Sequence, residues 1–411
     1  MIGPWLLFSL SISFLALYLN IWFMLSMFDR KANFFEKVPV ASVLPVVSIL
    51  IPARNEGSAI AKTIRSVRSL DYPRDKLEII ALPNACTDDT AEQATANGVR
   101  VISLRKAGKA NALNAGIRRA RGELIGIVDA DTTVSRSSLR KMVGYFNDPE
   151  VGAVTTFTRV SNPRGFFGRM QSIEYVFSGM LKKVFSMVNS LYITTGTLSV
   201  VRRDAARKIG FSDETHTEDM DFAVSMIKND YKIVNCLDAH AYTSVPLKFR
   251  ALTRQRVRWY RGFISNARKH SDVLFTRKHF DLGSFVIPVG IVSAAAAIIL
   301  TGNLAVQALT NVLVSVKSLF FVPLMDQIDI AVMTASMDPK FAMFNPYVSM
   351  MMLAVAASSL ILAVASMKKL DRLKPKHAVL LPLYILVYYF FNVVWWLAAA
   401  AKEAAGSRRK W

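Results

Sequence analysis

Short apolar runs and stretches of helical spacing alternate along residues 46–134. The run "VVSILIPARNEG" (46–57) is β-branched and ends at Pro52 and a polar turn, which predicts a buried strand feeding a loop. In "SAIAKTIRSVRSL" the residues Ile60, Ile64, Val67 and Leu70 share one face and predict a helix. A second strand is expected at "LEIIAL" (77–82), followed by the turn "PNACTDDT", where Thr87 or Asp88 could cap the next helix. "VRVISL" predicts a third strand, "GKANALNAGIRRAR" a loop opening a helix, and "ELIGIVDAD" a fourth strand. Strands alternating with helices imply an α/β domain with a mostly parallel sheet covered on both faces. Ligands of such sheets bind at the carboxyl ends of the strands. Asn55, Glu56, Asn84, Asp129 and Asp131 all fall at such ends.

The stretch "GIVDADTTV" (126–134) runs up an apolar strand and stops at two aspartates one residue apart. Side chains of an extended chain alternate faces, so Asp129 and Asp131 are expected on one side. Two carboxylates there repel each other, and a cation between them or ready access of water would relieve this. A D-x-D tripeptide alone is also compatible with a helix-capping turn; its place at a strand end raises its significance. In "THTEDMDFAV" (215–224) the acids Glu218, Asp219 and Asp221 gather before an apolar helix, a pattern that also suits a first turn stabilised by the helix dipole. "RQRVRWYRG" (254–262) carries Gln255, Arg258 and Trp259 and reads equally as a basic helix beside a membrane. Residues 165–188 space Phe166, Met170, Ile173, Phe177, Met180 and Val184 as a helix, either core-facing or interfacial.

Outside this region the pattern changes. Residues 1–28, 282–316, 341–367 and 378–401 carry no charge. A span needs about 20 apolar residues. The first stretch lacks the positive leader and short apolar run of a cleaved signal peptide, and Asp29, Arg30 and Lys31 follow it. The chain therefore divides into an N-terminal transmembrane helix (1–28), a water-soluble domain (46–248), a basic interfacial segment (249–281) and about three C-terminal transmembrane helices (282–401). The linker "KKLDRLKPK" (368–376) is placed inside because 326–340 holds three aspartates and suits the outer face. The tail "KEAAGSRRKW" is then external and breaks the positive-inside tendency, unless a fourth short span reverses it.

Composition agrees with a membrane protein carrying a basic cytoplasmic part. Hydrophobic residues make up 52% of 411, yet the formal charge is +21 from 51 basic and 30 acidic side chains. Such basicity is drawn to anionic lipid. Nucleic-acid binding is disfavoured by the absence of an aromatic–basic recognition motif. Cys86 and Cys236 form neither a metal-ligand spacing nor a disulfide framework and fit a reducing setting.

The order "PARNE", "NACTDDT", "GKANALN", "DAD", "TED", "QRVRW", between apolar spans, resembles the membrane-embedded family-2 glycosyltransferases, which include cellulose, chitin, hyaluronan and poly-N-acetylglucosamine synthases. The resemblance covers about 46–262. It implies a GT-A type nucleotide-diphospho-sugar transferase domain in the plasma membrane, facing the cytoplasm. The D-x-D pair is then the site of Mg2+ or Mn2+ on a nucleotide diphosphate, with Asp131 the direct ligand and Asp129 turned to ribose or sugar. Hard oxygen ligands suit such an ion, which answers the question raised by the two aspartates. Asn55, Glu56 and Asn84 border the nucleoside, although most relatives have an acid where this chain has Asn84. Lys109 approaches the diphosphate. Asp219 becomes the general base, Glu218 its support, and Gln255, Arg258 and Trp259 hold acceptor and diphosphate.

The expected activity is processive, inverting polymerisation of a β-linked polysaccharide from a UDP-sugar, with UDP-N-acetylglucosamine preferred and export through the protein's own spans. A single transfer to a polyprenyl-phosphate or sphingolipid acceptor is the enzymatic alternative. A non-catalytic scaffold is the other, disfavoured by intact Asp129, Asp131, Asp219 and Arg258. Expected partners are the sugar donor, a growing glycan or lipid acceptor and membrane lipid, with no nucleic acid.

Overall fold

The computed structural model describes residues 4–28, 34, 37–279, 281–321, 346–370 and 380–406. The chain forms two compact units. The first combines the N-terminal helix α1 (Pro4–Phe28) with residues 290–365. Within it, Asn20 Nδ2 donates to Ser358 Oγ at 3.0 Å and Ser359 Oγ at 2.8 Å, polar contacts between otherwise apolar helices. Among the described residues two helices are long and apolar enough to cross a membrane, Leu7–Ser26 and Asp281–Ile299.

The second unit takes in 29–289 and 366–411 and holds the α/β domain. Its strands are β1 (Val47–Ala53), β2 (Leu77–Pro83), β3 (Arg100–Val101), β4 (Leu124–Ile127), β5 (Thr132–Val134), β6 (Val151–Val160), β7 (Ser199–Arg202) and β8 (Lys232–Thr243). They form one sheet in the order β3-β2-β1-β4-β7-β6-β8-β5. The half made of β3, β2, β1 and β4 is parallel, as the βα alternation predicts. The other half is mixed, since β7 runs antiparallel to β4 and β6, β6 parallel to β8, and β5 antiparallel to β8. The expected mostly parallel sheet is thus corrected: a short return strand and two long strands extend it beyond the helix-connected half. The third strand is also shorter than expected, two residues plus a bridge between Asn84 and Leu104.

Strand alternation fills both faces. On β1, Leu50 joins one core with Ile80, Leu82, Leu113 and Ile117, while Ile49 and Ile51 join another with Ile60, Ile64 and Val67. The helices α2 (Gly57–Arg68), α3 (Thr90–Ala96), α4 (Lys109–Arg119), α5 (Ser138–Val143), α6 (Gly165–Met187), α7 (Arg203–Ile209), α8 (Glu218–Lys228) and α9 (Phe249–Lys269) complete the layers. Helix α6 packs on β6 and β8 with Met170, Ile173, Met180 and Val184 buried, which favours its core-facing reading.

After α9 come α10 (Ile287–Phe321) and α11 (Pro346–Leu370); a helical stretch at 380–383, a π turn (Tyr384–Tyr388) and α12 (Tyr389–Ala404) follow. Of the stretch 378–401, expected as a span, residues 389–401 pack along α9 inside the second unit. Trp395 Nε1 donates to Thr253 Oγ1 at 3.0 Å, Tyr260 stacks on Trp396 with ring centroids 4.4 Å apart, and the Tyr388 hydroxyl donates to Glu174 of α6 at 3.0 Å. Opposite this buried face, Leu383, Val387, Phe390, Val394 and Leu397 form an exposed stripe.

Candidate active site

The strand ends, α6, α8, α9 and the end of α12 surround one cavity of about 1330 Å3. It opens on the carboxyl side of β1 and β4, where the sheet changes from parallel to mixed. Such a crossover point leaves a crevice between diverging connections.

Asp129 and Asp131 both line this cavity, but not as alternating strand residues. Strand β4 stops at Ile127, and the next residues turn, with Thr132 N donating to Asp129 O at 3.0 Å. The turn is fixed by Val128 N on Leu50 O and by Asp129 N on Gly196 O, the latter at 2.7 Å. A cation does meet one aspartate of the pair, and it is a lysine. Lys109 Nζ lies 2.8 Å from Asp129 Oδ1 and 3.0 Å from Glu218 Oε1. Burial alone would make Lys109 a weaker base, but Asp129, Glu218 and Asp219 outweigh it and hold the ammonium charged. Among the described residues Asp131 has no such partner. Burial, then the Asp129 carboxylate, raises its pKa above the ordinary aspartate value. Glu56, which also lines the cavity, is raised by burial and then by Asp131 and Asp129. This part of the cavity therefore has more carboxylate than its lysine can neutralise.

Asp219 sits in the first turn of α8, with its carboxylate accepting from Met220 N at 2.9 Å. Burial and then neighbouring Glu218 push its pKa up to about 6. Glu218 moves the other way: burial opposes its charge, and Lys109 more than offsets this, leaving it below the usual glutamate range. Two adjacent acids thus titrate apart, and only Glu218 makes the ion pair with the lysine. Asp221, by contrast, turns away from the cavity, 2.7 Å from His270 Nε2 and 2.9 Å from Lys269 Nζ, and ties α8 to the end of α9.

The three residues taken from "QRVRW" all line the cavity. Gln255 Oε1 is buried and has no hydrogen-bond partner among the described residues. A buried carbonyl oxygen left this way costs about 1–3 kcal/mol, which a bound hydroxyl would recover. Trp259 is half-buried, and one face of its ring is covered by Arg256, whose Cζ lies 4.2 Å from the ring centroid. Arg256 is in turn held by Glu174 at 2.7 Å. Arg258, one turn from Arg254, is exposed to the cavity.

Two expected nucleoside contacts also brace loops, and of the two Asn84 lines the cavity. Asn84 is buried; its Nδ2 donates to Lys106 O at 2.9 Å and its Oδ1 accepts from Gly108 N at 2.8 Å. It fixes the loop that delivers Lys109. Asn55, in a left-handed turn with φ +55°, accepts from Thr87 N at 2.8 Å, joining two strand-end loops, and does not line the cavity. Sequence reasoning missed Arg256, Glu174, Tyr175, Lys182, Gly196, His216 and Lys402, all but Gly196 side chains that line the cavity, with Gly196 lining it by its backbone. Lys182 is the least ordinary: burial pulls its pKa down to about 8, and Asp219 only partly restores it. Its position on the polar side of α6 was legible, but its enclosure by a cavity was not.

A model of the family described as "Glycosyltransferase like family 2" matches residues 45–262. A poly-beta-1,6-N-acetyl-D-glucosamine synthase of Staphylococcus epidermidis is 32% identical over 224 residues, 53% of this chain and 54% of that protein. A protein of the same name from Staphylococcus aureus (strain COL) is 30% identical over 246 residues, 57% of this chain and 59% of the other. The chain spans little more than half the length of these curated relatives. Among solved structures, a mannosyltransferase from Pyrobaculum calidifontis in complex with GDP-Man and Mn2+ superposes with a TM-score of 0.57 at 22% identity, covering 89% of this chain and 100% of that one. This likeness is one of fold, the GT-A type nucleotide-diphospho-sugar transferase fold.

Proposed function

The chain belongs to the glycosyltransferase like family 2, and we propose that it is a processive, inverting glycosyltransferase that builds a β-linked polysaccharide from a UDP-sugar. N-acetylglucosamine is the sugar this reading assigns, after the name shared by the relatives from both staphylococci. The acceptor is the growing glycan, and the cavity faces the cytoplasm beside a membrane reached by the apolar helices.

One observation carries the reading: Asp219, raised to about 6, and Gln255 Oε1, buried and unpartnered, open into the same cavity as the Asp129–Asp131 turn. A sugar hydroxyl is a weak nucleophile, and a carboxylate within hydrogen-bond reach removes its proton as it attacks. Asp219 takes that proton while the acceptor oxygen bonds to the anomeric carbon. The bond from that carbon to the diphosphate breaks, and its electron pair leaves with the nucleotide. Because attack comes from the side opposite the leaving group, the anomeric configuration inverts. Gln255 orients the acceptor, and the open face of Trp259 carries its sugar ring. Arg258 compensates charge on the departing diphosphate.

A divalent cation, Mg2+ or Mn2+, held by Asp131 and the remaining oxygen of Asp129, would supply charge neutralisation at the diphosphate. The donor set fits: hard carboxylate oxygens in a region short of positive charge. Among the described residues no three His, Cys, Asp or Glu side chains gather to hold a metal alone. That suits an ion bound by one or two carboxylates plus substrate phosphates. The deciding experiment incubates membranes containing the protein with labelled UDP-N-acetylglucosamine and sizes the product. Polymer is expected; a labelled glycolipid of one sugar, or no product with any UDP-sugar, overturns the reading.

A further inference from the structure

We propose that Glu403, near the end of α12, is a positioning residue of the transfer site, acting through His216 and Arg261. The proposal rests on the reading of the cavity given above. Glu403 Oε1 accepts from Arg261 Nε at 2.6 Å and lies 3.1 Å from His216 Nε2. The three side chains are only 11–12% exposed. One carboxylate oxygen shared by a guanidinium and an imidazole, largely removed from water, is a strong and directional contact.

His216 belongs to the loop 215–217 that runs directly into Glu218 and Asp219. From α9, Asn266 Nδ2 donates to Thr217 Oγ1 at 3.0 Å and to Thr217 O at 3.3 Å. Gly262 makes this approach possible, because a Cβ there would fall 2.3 Å from Thr217 Oγ1. Thr217 O also accepts from Asp221 N at 3.2 Å, in the first turn of α8. The loop is thus held on one side by α9 and on the other by the end of α12, and its placement sets where α8 presents Asp219. Next to Glu403, Lys402 lines the cavity itself.

Docking of α12 rests on other contacts as well. Trp395 on Thr253, Tyr260 on Asn392 and Trp396, and Tyr388 on Glu174 hold the helix along its length. What Glu403 adds is a hold on the loop before the base. Without it, Arg261 loses a buried counter-charge and His216 a contact that holds it. Displacement of a reacting group by about 1 Å costs on the order of 10²-fold in turnover.

The test uses the full chain in detergent, with Glu403→Ala, Glu403→Gln and the double variant Glu403→Ala/His216→Ala. Measured are kcat, KM for the donor, UDP affinity by calorimetry, and amide hydrogen exchange. Glu403→Ala is expected to lower kcat by about ten- to 10²-fold, to leave UDP affinity unchanged, and to speed exchange at 214–220 but not at 391–397. Glu403→Gln retains an acceptor for Arg261 and should recover much of the loss. The double variant should be no worse than Glu403→Ala. Unchanged kcat with unchanged exchange at 214–220 overturns the proposal, as does faster exchange spread equally over 391–397, which marks simple loss of helix docking. The exchange readings need no turnover, so failure of the proposed activity and failure of this contact are seen separately.

Discussion

Gly196 lies so close to Asp129 that a Cβ on the glycine would fall 2.3 Å from one carboxylate oxygen and 2.5 Å from the other. The same residue fixes Asp129 from behind, its carbonyl accepting Asp129 N at 2.7 Å. Gly196→Ala must therefore displace the carboxylate, which also holds Lys109. Turnover should fall by about 10²-fold, with the folded yield close to wild type because the change sits in a cavity wall. Steady-state kinetics beside a thermal melt would check it; wild-type turnover would mean Asp129 has room to move.

Asp131 makes no ion pair with the lysine that Asp129 holds, and burial, then the Asp129 carboxylate, raises its pKa. Chelation of divalent metal should abolish transfer, and Mn2+ or Mg2+ should restore it. Asp131→Asn should lose most activity and not regain it in excess Mn2+. Full wild-type turnover in chelator would remove the metal from the reaction.

For Asp219 the pH dependence has a definite sign. The base works only when deprotonated, and its pKa is about 6. Rate should fall as pH drops through that value, with about a tenth of the enzyme active near pH 5. Asp219→Asn should remove transfer yet leave UDP binding nearly intact, since the base acts on the acceptor. Calorimetry with UDP distinguishes this from a donor or metal ligand, whose loss would abolish binding.

Lys182 titrates near 8, so its charge disappears as pH rises above neutrality. If the ammonium helps hold anionic substrate in the cavity, activity falls through about that pH. Lys182→Met should then lower activity at pH 7 and flatten the alkaline limb. An alkaline limb unchanged in the variant assigns it to another group.

Trp259 and Arg258 should fail differently. Burial of an aromatic ring contributes about 1.5–3 kcal/mol, enough to change the odds of chain release at each cycle by about ten-fold or more. Trp259→Ala should shorten the product while sparing hydrolysis of the donor; Arg258→Ala should depress both. Because Arg256 covers one face of the indole, Arg256→Met should shorten products as well. Gel sizing beside a free-UDP assay reads both quantities, and full-length polymer from Trp259→Ala would leave the ring as an interface anchor only.

The helix-connected half of the sheet was legible because its strands are buried on both faces and its helices repeat every three to four positions. The strand-end location of Asp129 and Asp131 followed from that alone. Their conformation did not, because a turn begins at Val128 through bonds to Leu50 and Gly196, which are far away in sequence. Asn84, read as a nucleoside contact, lines the cavity and also braces the loop before Lys109, a second role that an amide does not reveal in sequence. Lys182 and Glu403 were invisible as site residues for the same reason: each is an ordinary charge on its own helix and acquires meaning only from what packs opposite.

The path of α12 beside α9 also bears on membrane topology. Its neighbour carries six arginines, at 250, 254, 256, 258, 261 and 268, and a helix in contact with such a partner along its length is poorly placed in hydrocarbon. With its apolar stripe outward, it suits a position flat against a bilayer surface. We infer from this packing that the described residues 380–401 add no crossing. The basic clusters at 368–376 and after Ala401 then share one side, and the conflict between them under the positive-inside tendency disappears. Single cysteines placed at 372 and after 406 should be labelled together, or protected together, by an impermeant reagent applied to intact cells.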